Sequence, residues 1–155
     1  MPTIIQINRS GGGVPKLPVT SAEITLAGVA GDDQHDKKHH GGPDRALCLY
    51  SLEHILALQA EGHPVFPGST GENITLSGLE WASLQPGDRL QLGDQVVIEL
   101  TTFCPPCNTI AASFQDGRFT RISQKVHPGW SRLYARVLQP GTICPGDRVG
   151  IIDNG

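Results

Sequence analysis

Apolar positions along the chain come in short runs that alternate with polar ones, and glycine or proline interrupts them every few residues. That rhythm predicts strands far more often than helices. TIIQIN (3–8) is the first predicted strand, GGGVPKLP (11–18) a loop, and SAEITLAGV (21–29) a second strand. Residues 31–45 are polar and turn-like, and ALCLYS (46–51) is a short apolar run suited to a buried strand. SLEHILALQAEG (51–62) sets Leu52, Ile55, Leu56 and Leu58 near helical spacing. Ser51 can cap this segment and Gly62 can end it, so it is the most secure helix. ENITLSG (72–78) predicts a strand, and LQPGDRLQLGDQVVIELTT (84–102) two strands around a Gly93–Asp94 turn. CNTIAASFQ (107–115) and residues 118–126 each suggest a short helix. SRLYARVLQPG (131–141) and PGDRVGIID (145–153) complete the strands. The phrase Pro-Gly-Asp-Arg occurs at 86–89 and again at 145–148, each time before a strand; a reused turn explains it.

Composition narrows the class. The chain has 155 residues, with 19 Gly and 12 Pro, which fits one domain (1–155) rich in turns. A chain of this length buries roughly two-thirds of its unfolded surface and needs no metal or disulfide to fold. The net charge of −3 and the lack of a Lys/Arg run exclude a nucleic-acid stripe. No apolar stretch approaches the ~20 residues of a membrane span, and MPTIIQINRS lacks the marks of a signal peptide. The cytoplasm is the expected location, where Cys48, Cys104, Cys107 and Cys144 are expected to be mostly thiols.

Four segments carry candidate chemistry. Cys104-Pro-Pro-Cys107 admits a structural zinc site, a redox pair, a single working thiolate at Cys107, or two buried thiols. A second Cys pair is missing for zinc, with Cys48 and Cys144 standing alone, and no thioredoxin-like βαβ pattern surrounds the motif. Cys107 lies between a strong strand and an expected helix, whose first N–H groups would stabilise a thiolate. In GDDQHDKKHHGGPDR (31–45), Asp32, Asp33, His35, Asp36, His39 and His40 suit a hard or borderline metal, or simply a solvated loop. Gly41 and Gly42 allow close backbone approach to an anion. Arg45 offers a planar fork, or a partner for Asp44. PGSTGENITLSG (67–78) offers hydroxyls and N–H groups, with Glu72 either at a ligand or in an internal hydrogen bond. On 131–141, Arg132, Tyr134 and Arg136 share one strand face, opposite Leu133, Ala135 and Val137.

Taken together, GVAGDDQHDKKHHGGPDRALCLYSLEHI (28–55), PGSTGENITLSGLEWASLQPGDRLQLG (67–93), the Pro-Pro-Cys at 105–107 and GWSRLYARVLQPGTICPGDRV (129–149) resemble a stand-alone MOSC domain. These segments cover most of the chain in the family's order. The resemblance implies a mainly β, α+β fold: a MOSC-type β-barrel with a few short helices packed around it. It also implies molybdenum cofactor (molybdopterin) as ligand, with pyridoxal phosphate binding associated at the level of the family. Cys107 is the implied reactive cysteine and molybdenum ligand; His39 is the candidate catalytic proton relay on the chemistry of imidazole alone. The implied cofactor contacts are His40, Gly41, Gly42, Asp44, Arg45, Gly71, Glu72, Asn73 and Arg136. The activity implied is reduction of N-hydroxylated compounds, with an electron-transfer protein as partner. Two alternatives stand beside it: a persulfide-bearing sulfur carrier supplied by a cysteine desulfurase, or a non-catalytic cofactor-binding module. The chain departs from the family at Cys104, where many members place arginine in a phrase R-x-P-C. A fixed positive charge is thereby replaced by a second sulfur.

Overall fold

The computed structural model describes residues 1–10, 14–32 and 43–152. Among the described residues there are eleven strands and one α-helix: β1 Thr3–Arg9, β2 Leu17–Val19, β3 Ala22–Thr25, β4 Gly28–Val29, β5 Leu47–Ser51, α1 Leu52–Ala60, β6 Ile74–Ser77, β7 Arg89–Leu92, β8 Val96–Cys104, β9 Arg132–Gln139, β10 Gly141–Ile143 and β11 Val149–Ile152. Eight strands form one mixed sheet in the order β11-β7-β8-β9-β5-β6-β1-β2. Three more form a small sheet, β10-β3-β4. The fold is therefore mainly β in the α+β class, as the strand-rich pattern predicts.

The large sheet curls on its core without closing into a continuous ladder. Ile4 N–H donates to the Asp147 carbonyl at 2.9 Å and Gly146 N–H to the Ile4 carbonyl at 2.7 Å, which draws β1 towards the start of β11. A single bridge, Thr3 to Arg148, is the only strand-type pairing there among the described residues. The expected barrel is thus a wound sheet stitched at its ends. Its inward side chains include Ile4, Ile7, Leu49, Ile74, Leu76, Leu90, Leu92, Ile98, Leu100 and Leu133, all essentially inaccessible. Each such side chain contributes about 1.5–3 kcal/mol on burial.

Strand β5 lies mid-sheet and is buried at every position, which is why Leu47–Tyr50 do not alternate with polar residues before Ser51. It pairs in parallel with β6, and α1 makes the crossover. Ser51 caps α1 by accepting from His54 N–H at 3.2 Å, Ile55 and Leu58 face the core, and Gly62 leaves the helix with φ +102°. One βαβ unit therefore exists, although the motif Cys104–Cys107 is not part of it.

Three expectations need correction. The loop at 11–18 ends in strand β2, an edge strand that tolerates Pro18. The single strand at 21–29 is a hairpin, β3 and β4, because Thr25 bonds back to the Gly28 carbonyl and turns the chain. The helices expected at 107–115 and 118–126 are short 3-10 turns, Asn108–Ser113 and Phe119–Ile122. Asp116 at φ 55° and Gly117 at φ 68° break the segment between them.

Candidate functional site

Strand β8 runs to Cys104, two prolines follow, and Cys107 then opens the 3-10 turn Asn108–Ser113. Prolines have no N–H and fix φ, so this linker is stiff and poor in donors. Cys107 is exposed, with extended backbone (φ −142°, ψ 178°), and its carbonyl accepts from Ile110 N–H at 3.1 Å. The α-helix expected to stabilise its thiolate is absent: a six-residue 3-10 turn stands there instead. Cys107 is nonetheless open to solvent and ligands, as a working thiol must be.

Behind it lies a buried polar cluster on one face of the sheet. Across β9, Cys48 pairs in register with Tyr134, and Cys104 with Arg132. Cys48, Cys104 and Tyr134 pack together, and both thiols are free and buried. Cys48, which seemed solitary in the sequence, is hydrogen-bonded to Cys104. That bond, helped by burial, holds the Cys48 thiol well above its ordinary range. Burial also pushes Cys104 up. The hydrogen bond from Cys48, the charge of Arg132, a hydrogen bond with Tyr134 and the charge of Arg45 outweigh it and bring Cys104 down to about 6.

Several anchors aim these groups. Tyr50 Oη donates to the Trp130 carbonyl at 2.6 Å and Trp81 Nε1 to the Ser131 carbonyl at 2.8 Å, which fixes the entry to β9 and so the start of Arg132. Arg132 is buried; its Nη1 donates to the Thr70 carbonyl and its Nη2 to the Pro105 carbonyl at 3.2 Å. The guanidinium of Arg45 lies 5.3 Å from the Tyr134 ring centroid, a cation–π contact. Its 3-10 turn, Pro43–Arg45, is held to β8 because Thr101 Oγ1 donates to the Asp44 carbonyl.

The remaining predicted residues divide by role. Asp44 is exposed and 3.7 Å from Arg136, whose other nitrogen meets Glu99 at 2.8 Å. Gly71 takes φ +83° in a turn closed by its N–H to the Gly68 carbonyl. Glu72 points inward: its carboxylate accepts from Thr70 at 2.7 Å and Thr75 at 3.2 Å, and burial raises its pKa. Asn73 accepts from Cys48 N–H at 2.9 Å and donates to Asp32 at 2.9 Å. Asp32, a candidate metal ligand in the sequence, has both oxygens used internally, by Ser10 N–H, Asn73 and Lys16. His39, His40, Gly41 and Gly42, with Asp33, His35 and Asp36, lie outside the described residues.

Structure therefore brings Arg45, Arg132, Tyr134 and the two buried cysteines together near the base of the Cys107 turn. It turns Glu72 and Asn73 into the scaffold behind them. Of the clustered residues, only Arg45 is a predicted site residue; Arg132, Tyr134, Cys48 and Cys104 are not. Period-two patterning put Arg132 on the Tyr134 face, but only long-range register shows that this face is buried and meets β5. Among the described residues no group of three or more His, Cys, Asp or Glu is placed to hold a metal, so the zinc reading of the cysteines has no support there. No helix of the described residues is long and apolar enough to cross a membrane.

A family model for the MOSC domain matches residues 36–150. The chain belongs to the MOSC domain family. It is 31% identical over 145 residues to an uncharacterized protein, YflK, of Bacillus subtilis (strain 168), covering 92% of this chain and 64% of that protein. It is also 31% identical over 134 residues to a protein of Gibberella moniliformis named "Reductase", covering 83% of this chain but 23% of that protein. Among solved structures, YiiM from Geobacillus stearothermophilus superposes with a TM-score of 0.79 at 28% identity, covering all of this chain and 77% of that one. The chain thus spans less than two-thirds of the length of these curated relatives. Pyridoxal phosphate, expected from the family, gains nothing from these matches, and the buried lysine, Lys16, is ion-paired with Asp32 at 2.6 Å.

Proposed function

We propose that this MOSC protein binds molybdenum cofactor, with the Cys107 thiolate as the metal ligand, and that it reduces N-hydroxylated compounds with electrons from a partner protein. The observation that carries the reading is the exposed Cys107 at the end of a stiff proline linker, beside a cluster centred on Arg45 and Arg132. A thiolate suits a soft or borderline metal, and an arginine fork suits a phosphate. Arg45 lies three residues past Gly42 of the His-His-Gly-Gly segment, whose residues 39–42 are the expected remainder of the cradle. The bound group would supply a two-electron metal centre. The chain's own part is to hold that metal through Cys107, to balance anionic charge through Arg45, and to deliver a proton, the role expected of His39. Glu72 and Asn73 support the cradle from inside.

Purification from a host that makes the cofactor, followed by metal and pterin analysis, tests the proposal. One molybdenum per chain, lost in Cys107→Ser, is expected. Folded protein that carries no molybdenum overturns it. The exposure of Cys107, with no side-chain hydrogen bond at its cap position, equally favours a sulfur carrier. In that reading, intact mass after incubation with a cysteine desulfurase rises by one sulfur atom, and Cys107→Ser abolishes the gain.

A further inference from the structure

We infer that Arg132 and Cys104 form a buried ion pair that fixes the Pro105–Pro106–Cys107 turn, with Arg132 as the positioning residue for Cys107. The inference rests on the reading of Cys107 as the working thiol, whatever it holds.

Arg132 is a permanent cation only 3% exposed. Its two terminal nitrogens donate to carbonyls, of Thr70 and Pro105, and neither acceptor carries a charge. Its Nε is buried without a partner. No carboxylate among the described residues forms an ion pair with it, and the buried acid nearby, Glu72, is occupied by two hydroxyls. A buried charge left in that state carries a large desolvation penalty. The group set opposite Arg132 in register is Cys104, fully buried. Every charged or titratable neighbour recorded for Cys104 favours an anion there: Cys48 from β5 and Tyr134 from β9 hydrogen-bond it, Arg132 faces it, and Arg45 stands beyond the Tyr134 ring. Glu72, before β6, is the opposing negative group of the cluster; it acts on Arg132 and Cys48. The thiolate and the guanidinium neutralise each other.

This arrangement separates the two cysteines of the motif by role. Cys104 turns its sulfur inward to Cys48, while Cys107 is exposed. Both buried thiols are free. The pair holds a proton and a charge. Its mechanical consequence falls on the turn. Pro105 and Pro106 cannot donate hydrogen bonds, so the linker is held through an acceptor, and Arg132 supplies the donor to the Pro105 carbonyl. Arg132 thus acts on the motif as a hydrogen-bond donor, its charge being balanced by Cys104.

The test uses full-length chain free of cofactor. In a Cys107→Ser, Cys144→Ser background, ultraviolet thiolate absorbance is followed against pH. One thiolate is expected at neutral pH, titrating near 6, and lost in both Arg132→Met and Cys104→Ser. In a Cys144→Ser background, the rate of Cys107 alkylation by iodoacetamide is measured at one pH. Arg132→Met should change it by about fivefold or more through a looser turn, the Pro105 carbonyl having lost its donor, and Arg132→Lys should restore most of the rate. Denaturation midpoints of Arg132→Met, Cys104→Ser and the double variant should be non-additive, with the double variant falling less than the sum. Absence of any thiolate at neutral pH in the first background, or additive midpoints, overturns the inference. Should Arg132→Met fail to fold, Arg132→Lys and Cys104→Ser carry the absorbance test. No readout involves molybdenum, so a protein that never loads metal sinks the functional proposal and leaves this one standing.

Discussion

The carboxylate of Glu72 is sealed inside the protein and served by two hydroxyls rather than by a cation. Burial raises its pKa above the ordinary carboxylate value, so near-acidic solution leaves it protonated in the fold while the unfolded chain is ionised. The folded state then binds more protons than the unfolded one, and stability falls as pH rises through that window. Glu72→Gln keeps the shape and removes the titration. Urea unfolding of both proteins at pH 5 and pH 7 should show wild type losing stability relative to the variant as pH rises. A difference independent of pH would mean that Glu72 titrates normally. Sequence reasoning left Glu72 between a ligand contact and an internal bond. Nothing in GENIT distinguishes them, because the choice depends on Thr70 and Thr75 closing over the acid. Asp32 shows the same limit. Its acid-rich surroundings suggested a metal, yet its partners Ser10, Lys16 and Asn73 come from three separated segments.

At the scale of elements, local rules served well where the signal itself is local. The two Pro-Gly-Asp-Arg phrases are the same turn twice. Asp88 N–H bonds the Gln85 carbonyl and Asp147 N–H the Cys144 carbonyl, both at 3.1 Å, with Gly87 and Gly146 at φ +99° and +94°. The strands that follow, β7 and β11, pair with each other. Strands and the capped helix were legible for similar reasons of period and capping. Pairing across the chain was not, and so the β5–α1–β6 crossover and the β3–β4 hairpin went unseen. Glycine substitution separates the two kinds of constraint. At Gly146 an added Cβ meets nothing, so Gly146→Ala carries backbone strain alone, about 1–2 kcal/mol. At Gly28 the Cβ would lie 2.2 Å from the Ala46 carbonyl oxygen, which β4 and β5 cannot relieve without moving apart. Gly28→Ala should therefore lower the thermal midpoint well beyond Gly146→Ala. Equal shifts in a melting comparison would contradict this close approach.

The whole molecule sorts its four thiols into two environments, and that division tests the fold and the site together. Cys107 and Cys144 are exposed, while Cys48 and Cys104 lie on central strands of the large sheet. The pair packs with Tyr134 on one face of β5, β8 and β9, so a reagent reaches it only when that face is uncovered. With a thiol-specific disulfide reagent such as Ellman's, native protein should release two equivalents quickly and the other two only in denaturant. Cys107→Ser should remove one fast equivalent and leave the slow pair untouched. Because the slow pair reacts only through opening of that face, its rate should fall as that opening is suppressed, and the fast pair's should not. Fast release of three or four equivalents from native protein would mean that the β8–β9–β5 face is open. In that case a thiolate at Cys104 would meet solvent, Arg132 would be hydrated, and Cys107 would lose the rigid backing on which its proposed role as a ligand depends.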